Sequence, residues 1–597
     1  MPELEKELKK YYGYDTFRAG QREVIDTILN GRDVLAIMPT GSGKSVCYQL
    51  PALLLGGITI VVSPLISLMK DQVAALGEIG VRAAYINSSL TPNQTLLALK
   101  NASRGMYKII YVAPERLETD SFRQFSHRAD ISLVAIDEAH CVSQWGHDFR
   151  RSYLNVSNYI ATLPKRPVVA AFTATATERV RRDISDLLCL HDPKCVTTGY
   201  DRPNLYFGVD NPKDKFSYVL DFIRRRRGKS GIIYCSTRKQ TDLLCDALRD
   251  RGIEACKYHA GLTDAERGKN QEDFVYDRAT VIVATNAFGM GIDKSNVSFV
   301  IHYNMPLSVE SYYQEAGRAG RDGANAECVL LYSKADIAVG KFMLDRSFDA
   351  LKEEFPEEAE ASLEVNRQKF DDAIKLFGSK SCLRARILDY FGEAYKNKTC
   401  GKCSVCLKKN TALTPNSVKL TVGALVKATG GRFGASMIAS ILSGEKNERI
   451  IERGFDKLYE FGSLRLSGKS KIRDMIDAMI AEGSLEVCGS QYPVLKLSPE
   501  FEKTLAAAGA VRTVATAPLV PNTLKADVKT VEKLKCWRKK AADIAGVPPY
   551  IIMSDLTIDR IAVSRPRNII ELSRIDGMSD ERIKRYGKNI LSALAKD

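Results

Sequence analysis

The chain has 597 residues, roughly three to five times the usual domain length, so it must divide into several separately cored units. Hydrophobic residues make up 45% and charged residues 27%, and no apolar run approaches the roughly 20 residues that span a bilayer, which excludes a membrane protein. Lys plus Arg exceed Asp plus Glu by 87 to 72, a net of +15 that suits a polyanionic partner whose condensed counterions are released on binding.

The N-terminus mixes both signs of charge and carries neither a secretory nor a transit signature, which points to the cytoplasm. Most of the 14 cysteines are scattered singly in apolar runs, as at Cys189, Cys245 and Cys328, and read as reduced core residues. From about Gly31 to Tyr206, short β-branched runs (DVLAIM, ITIVVS, KIIYVA, LVAID, VVAAF) alternate with helix-like stretches, the signature of a parallel α/β sheet. The alternation restarts after Arg224–Arg227 with SGIIYC, ATVIVAT and VSFVIHY. Beyond Tyr332 helical periodicity takes over and ends in a cysteine group. Residues 418–497 then read as short helices closing on a hairpin, LEVCGSQYPVLKL. An Ala/Val/Thr/Pro-rich linker at 505–522 precedes an all-helical unit, 523–597.

MPTGSGKS, 38–45, follows a strand and opens a helix, the context in which such a loop cradles phosphate. Thr40, Gly41, Ser42 and Gly43 supply the loop, Lys44 would reach the β and γ phosphates, and Ser45 would ligate Mg²⁺. Met38 stands where the general pattern has glycine. LVAIDEAH, 133–140, ends a strand with Asp137, able to complete the metal site, and Glu138, able to orient or deprotonate water. QEAGRAGRDG, 314–323, offers Arg318 and Arg321 for the charge developing on the γ phosphate. These arginines lie in the second α/β unit, so hydrolysis requires the two units to close on one another, the geometry of a motor.

FRAGQ (17–21), PTGSGKS, VVSPLISL (61–68), DEAH, AFTATA (171–176), IIYCSTRK (232–239), VIVATNAFGMGID (281–293) and QEAGRAGR together resemble superfamily-two helicases. HCVSQWGHDFR, 140–150, narrows the resemblance to the RecQ family, whose aromatic-rich loop follows the acidic motif. Trp145 and Phe149 can stack on bases and Arg150 can contact phosphate, which makes the segment, with His140 and His147, a coupler of strand binding to hydrolysis. The resemblance implies that Gln21 reads adenine with support from Arg18, that His140 links ATP to DNA, and that Gly291 and Asp293 lie at the domain interface near nucleotide.

Cys382, Cys400, Cys403 and Cys406 give C-x17-C-x2-C-x2-C, four soft ligands for a tetrahedral Zn²⁺, with an iron–sulfur cluster as the competing reading of the spacing. SCLRARILDYFGE (381–393) with this group resembles the RecQ zinc subdomain. The unit after it resembles the winged-helix domain of the family, with Tyr492 at the hairpin tip a candidate to stack at the fork. The last unit resembles the HRDC module. It carries 16 basic and 10 acidic residues, and Lys535, Arg538, Lys539 and Tyr550 are its candidate DNA contacts.

The expectation is a multidomain α/β protein: RecA-like domains at 1–207 and 208–334, a helical zinc-binding subdomain at 335–410, a winged-helix domain at 411–504, the linker, and an HRDC domain at 523–597. The function it implies is an ATP-, Mg²⁺- and Zn²⁺-dependent DNA helicase with 3′-to-5′ polarity. It would act on single-stranded, forked and junction DNA in repair, recombination and fork maintenance, as a cytoplasmic, nucleoid-associated protein. Single-stranded-DNA-binding protein and topoisomerase are the partners that the resemblance implies. An RNA-remodelling ATPase and an ATP-gated DNA-binding protein are the alternatives.

Overall fold

The computed structural model describes all residues except 1–3, 147–148, 289–293, 355, 398, 411–414, 446, 459, 465–467, 490–492, 507–526 and 596–597. Residues Met1–Cys406 and Leu524–Asp597 form one compact unit, and Leu407–Thr523 form another.

In the first unit, seven strands make one sheet: β1 (Val34–Ile37), β2 (Ile58–Val62), β3 (Ala83–Ile86), β4 (Ile109–Val112), β5 (Ile131–Ile136), β6 (Val168–Thr173) and β7 (Lys194–Thr197). They lie in the order β3-β4-β2-β5-β6-β1-β7, and every pairing is parallel. Parallel neighbours need crossovers, and the intervening helices cover both faces. Along β1, accordingly, Leu35 and Ile37 enter one hydrophobic core while Val34 and Ala36 enter another. This two-sided burial is why the central strands read as continuous apolar runs.

A second parallel sheet comprises β8 (Leu205–Asp210), β9 (Ser230–Tyr234), β10 (Ala255–Tyr258), β11 (Val281–Ala284), β12 (Val297–His302) and β13 (Ala326–Leu331), in the order β10-β11-β9-β12-β13-β8. The interior strand β13 and the edge strands β3, β7, β8 and β10 are absent from the sequence expectation. Strands β3, β7 and β10 keep one side half-solvated, so VRAAYIN, KCVT and EACKY carry polar or small residues where a central strand has Val or Ile.

After β13 the chain forms two long helices, Lys334–Glu354 and Pro356–Phe377, then Leu383–Tyr390 and the cysteine group. The C-terminal helices, including Val528–Ala545, Asp555–Ser564 and Asp580–Ala595, enclose Leu534, Ile552, Ile558, Ile561, Leu572 and Ile590. They rest on the first sheet domain. Tyr586 Oη donates to Glu78 Oε2 at 2.8 Å, and Gly577 N donates to Gly13 O at 2.9 Å. Gly13 has φ +79°, and a β-carbon there would lie 2.6 Å from Ser579 N, so this close approach requires glycine.

The other unit packs helices Pro415–Ala428, Ala435–Ser443 and Lys469–Ala481 around Val422, Ile438, Ile441, Ile472 and Ile476, against an antiparallel hairpin of β14 (Leu485–Cys488) and β15 (Val494–Leu497). Of the stretch expected as linker, 505 and 506 are helical and Leu505 is buried, while 507–522 lie outside the described residues. No helix among the described residues is long and apolar enough to cross a membrane.

Candidate active site and nucleic-acid interface

The sheet order sets β6 between β1 and β5, so the turns leaving β1 and β5 rise one strand apart at the same carboxyl edge, where α/β sheets bind ligands. Gly41 (φ +80°) and Gly43 (φ +85°) take left-handed conformations that let the backbone coil into the N-terminus of the helix Lys44–Leu54. Ser42 Oγ closes the turn on Pro39 O at 2.6 Å, and Lys44 Nζ donates to Met38 O at 3.2 Å. Gln21 Nε2 donates to Ser42 O (3.0 Å) and Gly43 O (3.1 Å), its Oε1 accepts from Arg18 N (2.8 Å), and the Arg18 guanidinium donates to Gly41 O. The FRAGQ segment therefore braces the phosphate loop directly.

After β5, Asp137 is almost wholly buried and Glu138 adopts φ 49°, a strained value for a residue with a side chain. Glu138 Oε2 has no hydrogen-bond partner among the described residues and lies 3.4 Å from His140 Nδ1. His140 Nδ1 is also 2.9 Å from Thr173 Oγ1, at the end of β6. Thr173 donates its own hydroxyl hydrogen to Thr175 O, so the imidazole carries its hydrogen on Nδ1. Burial, reinforced by the positive charges of Lys44, Arg150 and Lys369, pushes the His140 pKa down to about 3. The ring is neutral at physiological pH and ties the acidic turn to the AFTATA strand.

Across from these groups, the helix Val309–Ala316 ends in the turn 317–321. Arg318 is buried, with Nε unpartnered among the described residues. Lys44, Ser45, Asp137, Glu138, Arg318 and Arg321 line one cavity of about 250 Å³ between the two sheets. A β-carbon on Gly41 would stand 3.2 Å from Arg321 Cα, so the two loops are already in close approach. Carboxylates and a lysine at a helix N-terminus on one wall, with Arg318 and Arg321 on the other, fit a nucleoside triphosphate with its divalent cation. Gly291 and Asp293 lie outside the described residues.

The aromatic loop is rooted in the acidic turn: Arg150 N donates to Cys141 O (2.9 Å) and Tyr153 Oη to Asp137 O (2.9 Å). Trp145 is half-buried. The Arg179 guanidinium lies 3.2 Å from its ring centroid, and Lys369 Nζ, from the helix Pro356–Phe377, donates to Trp145 O (2.9 Å) and Gly146 O (3.1 Å). Arg150 Nη1 donates to Pro64 O at 3.1 Å, which links the loop to the VVSPLISL motif. Phe149 is half-buried, and His147 lies outside the described residues.

The four candidate metal ligands meet. The sulfurs of Cys382, Cys400, Cys403 and Cys406 all lie within 4.8 Å of one another, with Cys400–Cys406 at 4.0 Å and Cys403–Cys382 at 3.9 Å. A tetrahedral ion with Zn–S bonds of about 2.3 Å sets sulfurs about 3.8 Å apart, so the cluster fits one zinc. Lys402 N (3.4 Å) and Cys403 N (3.2 Å) donate to Cys400 Sγ, the backbone support a thiolate ligand needs.

Comparison with known proteins accords with this architecture. Family models match in chain order: DEAD/DEAH box helicase at 18–184, helicase conserved C-terminal domain at 214–323, RecQ zinc-binding at 334–407, RQC domain at 420–517 and HRDC domain at 528–594. The chain is 40% identical to "ATP-dependent DNA helicase RecQ" of Bacillus subtilis over 588 residues, 98% of this chain and 97% of that one. It is 37% identical to the protein of the same name from Haemophilus influenzae over 98% of this chain and 95% of that one. The chain belongs to the RecQ helicase family.

For a RecQ protein the cysteine cluster is a zinc site, which decides between the two readings left open by the spacing. Two candidate DNA contacts in the HRDC region meet at one carboxylate. Arg538 is only 3% exposed. It donates to Met553 O (2.8 Å) and pairs with Asp555 (2.7 Å), while Lys535 pairs with the same carboxylate at 3.0 Å. The half-buried Asp555 is held down at about 2, its desolvation outweighed by these two cations. Periodicity cannot distinguish a basic surface helix from one whose cations neutralise a half-buried acid. Tyr550 is half-buried, with Oη 3.5 Å from Asp71 Oδ2 of the first sheet domain, and Tyr492 lies outside the described residues. Sequence reasoning missed Lys369 and Arg179, which stand on the aromatic loop from elsewhere in the chain, and Arg202, treated below.

Proposed function

We propose that this RecQ protein is an ATP-dependent DNA helicase that moves 3′ to 5′ along single-stranded DNA and separates forked and junction duplexes. The carrying observation is the shared cavity, in which the phosphate loop and acidic turn of one sheet domain face the arginine turn of the other. Lys44 would neutralise the β and γ phosphates, Ser45 and Asp137 would hold Mg²⁺, and Glu138 would orient the attacking water. Bound Mg²⁺ supplies charge neutralisation on the phosphates. Arg318 and Arg321 meet the charge that develops on the γ phosphate only when the two domains close, so hydrolysis is tied to interdomain motion. Gln21 and Arg18 position the adenine end.

The aromatic loop shares its root with the catalytic carboxylates, which supports its role as the coupler between strand and nucleotide. Domain boundaries at 207, 334, 410, 504 and 522, action in repair, recombination and fork maintenance, a nucleoid-associated cytoplasmic location, and partnership with single-stranded-DNA-binding protein and a topoisomerase complete the proposal. The test is ATP hydrolysis without nucleic acid, with single-stranded DNA and with single-stranded RNA, together with unwinding of duplexes bearing a 3′ or a 5′ tail. DNA-stimulated hydrolysis and unwinding of the 3′-tailed duplex are expected. Stimulation by RNA alone would favour an RNA-remodelling ATPase, and no stimulation would favour an ATP-gated binding protein.

A further inference from the structure

Between β7 and β8 runs the segment Asp201–Asn204, and its Arg202 is 8% exposed. Every N–H of this guanidinium has a partner. Nη1 donates to Thr40 O (2.7 Å) and Gly317 O (3.2 Å), Nη2 to Ala319 O (3.1 Å) and Gly320 O (2.7 Å), and Nε to Asn204 Oδ1 (3.4 Å). Thr40 belongs to the phosphate loop of the first sheet domain. Gly317, Ala319 and Gly320 frame Arg318 in the turn of the second. One planar group therefore spans the two halves of the catalytic cavity.

None of these partners is a carboxylate. The cation is satisfied by carbonyl dipoles at the C-terminal end of the helix Val309–Ala316, where main-chain oxygens lack helical partners. Burying a guanidinium without a counter-ion carries a desolvation penalty, which is the largest influence on its pKa and lowers it. An apolar side chain would fill the space without that penalty, so packing alone does not account for arginine here. The approach is tight on both sides: Thr40 Oγ1 donates to Gly317 O at 3.0 Å, and Asn204 Nδ2 donates to Gly320 O (2.9 Å) and Ala324 O (2.8 Å). Arg202 is held in turn from the zinc subdomain. The Arg384 guanidinium donates to Arg202 O at 2.9 Å and also engages Asp201 and Leu205 O.

We propose that Arg202 is a positioning residue for hydrolysis: its guanidinium fixes the separation of the phosphate loop from the arginine turn, and so transmits nucleotide-dependent closure from one domain to the other. The inference rests on the reading of the cavity as the nucleotide site. Because the fork is rigid, the bond to Thr40 and the three bonds to the turn cannot all survive opening of the cleft. The closed arrangement alone satisfies the full set. Lysine at this position keeps the charge, but its single nitrogen centre can replace at most the Nη1 pair of bonds to Thr40 O and Gly317 O and leaves Ala319 O and Gly320 O unmet, so the turn around Arg318 is no longer held at three points.

The test compares the full-length protein with Arg202→Lys and Arg202→Gln, using ATP titrations at saturating single-stranded DNA and backbone hydrogen exchange with a non-hydrolysable ATP analogue. Both variants should lose at least about tenfold in kcat while KM for ATP changes less than about threefold. In Arg202→Lys, the analogue should still protect 39–46 but no longer 314–321. A kcat for Arg202→Lys within about twofold of the unaltered protein would overturn the proposal. So would equal loss of protection in both segments, which marks a general loosening. Arg384→Gln, which frees the Arg202 backbone from outside the cavity, provides the check if neither substitution folds: kcat should fall with KM unchanged, and an unchanged kcat would count against the proposal. Absence of hydrolysis in the unaltered protein would instead refute the nucleotide-site reading itself.

Discussion

The guanidinium of Arg179 lies face-on to the indole of Trp145, 3.2 Å from the ring centroid, while Lys369 holds the same loop by the carbonyls of Trp145 and Gly146. The one tryptophan in the aromatic loop is therefore gripped from the first sheet domain and from the zinc subdomain at once. A base can stack on the covered face only by displacing Arg179, and this displacement offers a physical route from strand binding to the acidic turn. Trp145→Ala is expected to lower turnover at saturating single-stranded DNA about tenfold or more, a larger factor than the accompanying rise in Kd for the strand. Steady-state hydrolysis and fluorescence anisotropy on the same preparations check this. Full DNA stimulation in the variant would mean that the loop is a packing element.

Lys44 now donates to the carbonyl of Met38, within its own loop. That bond is weak competition for a polyphosphate, which offers a charged acceptor. Lys44→Ala should reduce hydrolysis by about 100-fold or more, because positioning and charge neutralisation supply most of phosphoryl-transfer catalysis. DNA affinity measured without nucleotide should stay within about twofold, since no strand contact is assigned to this side chain. Hydrolysis that survived the substitution would place the nucleotide elsewhere.

The zinc site bears on folding. Cys382 caps the helix Leu383–Tyr390, whose Arg384 grips the segment between the two sheets, so the metal stabilises an element that the catalytic cavity leans on. Elemental analysis of the purified protein should find one zinc per chain and no iron. Cys400→Ser should lose that zinc and unfold at lower temperature, because structural zinc contributes about 10–16 kcal/mol to the folded state in small zinc modules. Iron with acid-labile sulfide would refute the zinc assignment.

Much of this site was legible in the sequence because it is local: phosphate loop, acidic turn and cysteine triplet each lie within a short segment whose chemistry needs those residues at that spacing. The central strands were legible for a related reason, since two-sided burial imposes a continuous apolar run. What stayed hidden depends on tertiary context. Arg202 looks like any arginine in YDRPN until folding brings Thr40 and Gly317 to its two edges. Lys535 and Arg538 looked like a DNA-facing pair because Asp555, which they neutralise, lies about 20 residues further along the chain. Edge strands such as β7 lack the covering layer that would mark them.

His140 makes a prediction about acid stability. Its folded pKa of about 3 lies below the ordinary histidine value because burial and nearby cations oppose protonation. Between about pH 6.5 and 3 the unfolded chain therefore binds the proton that the folded chain refuses, and stability rises with pH across that window. The contribution is fully present above about pH 6.5 and is lost as pH falls toward 3, by up to about 1.4 kcal/mol per pH unit. His140→Asn cannot titrate, yet keeps a side-chain N–H that can be offered to Thr173 Oγ1. Denaturant unfolding of the helicase core at about pH 7.5 and about pH 5 should show the unaltered protein losing about 2 kcal/mol more than the variant. Equal losses would mean that His140 is protonated in the folded state, and the neutral Nδ1–H tautomer that joins the acidic turn to Thr173 would have to be abandoned.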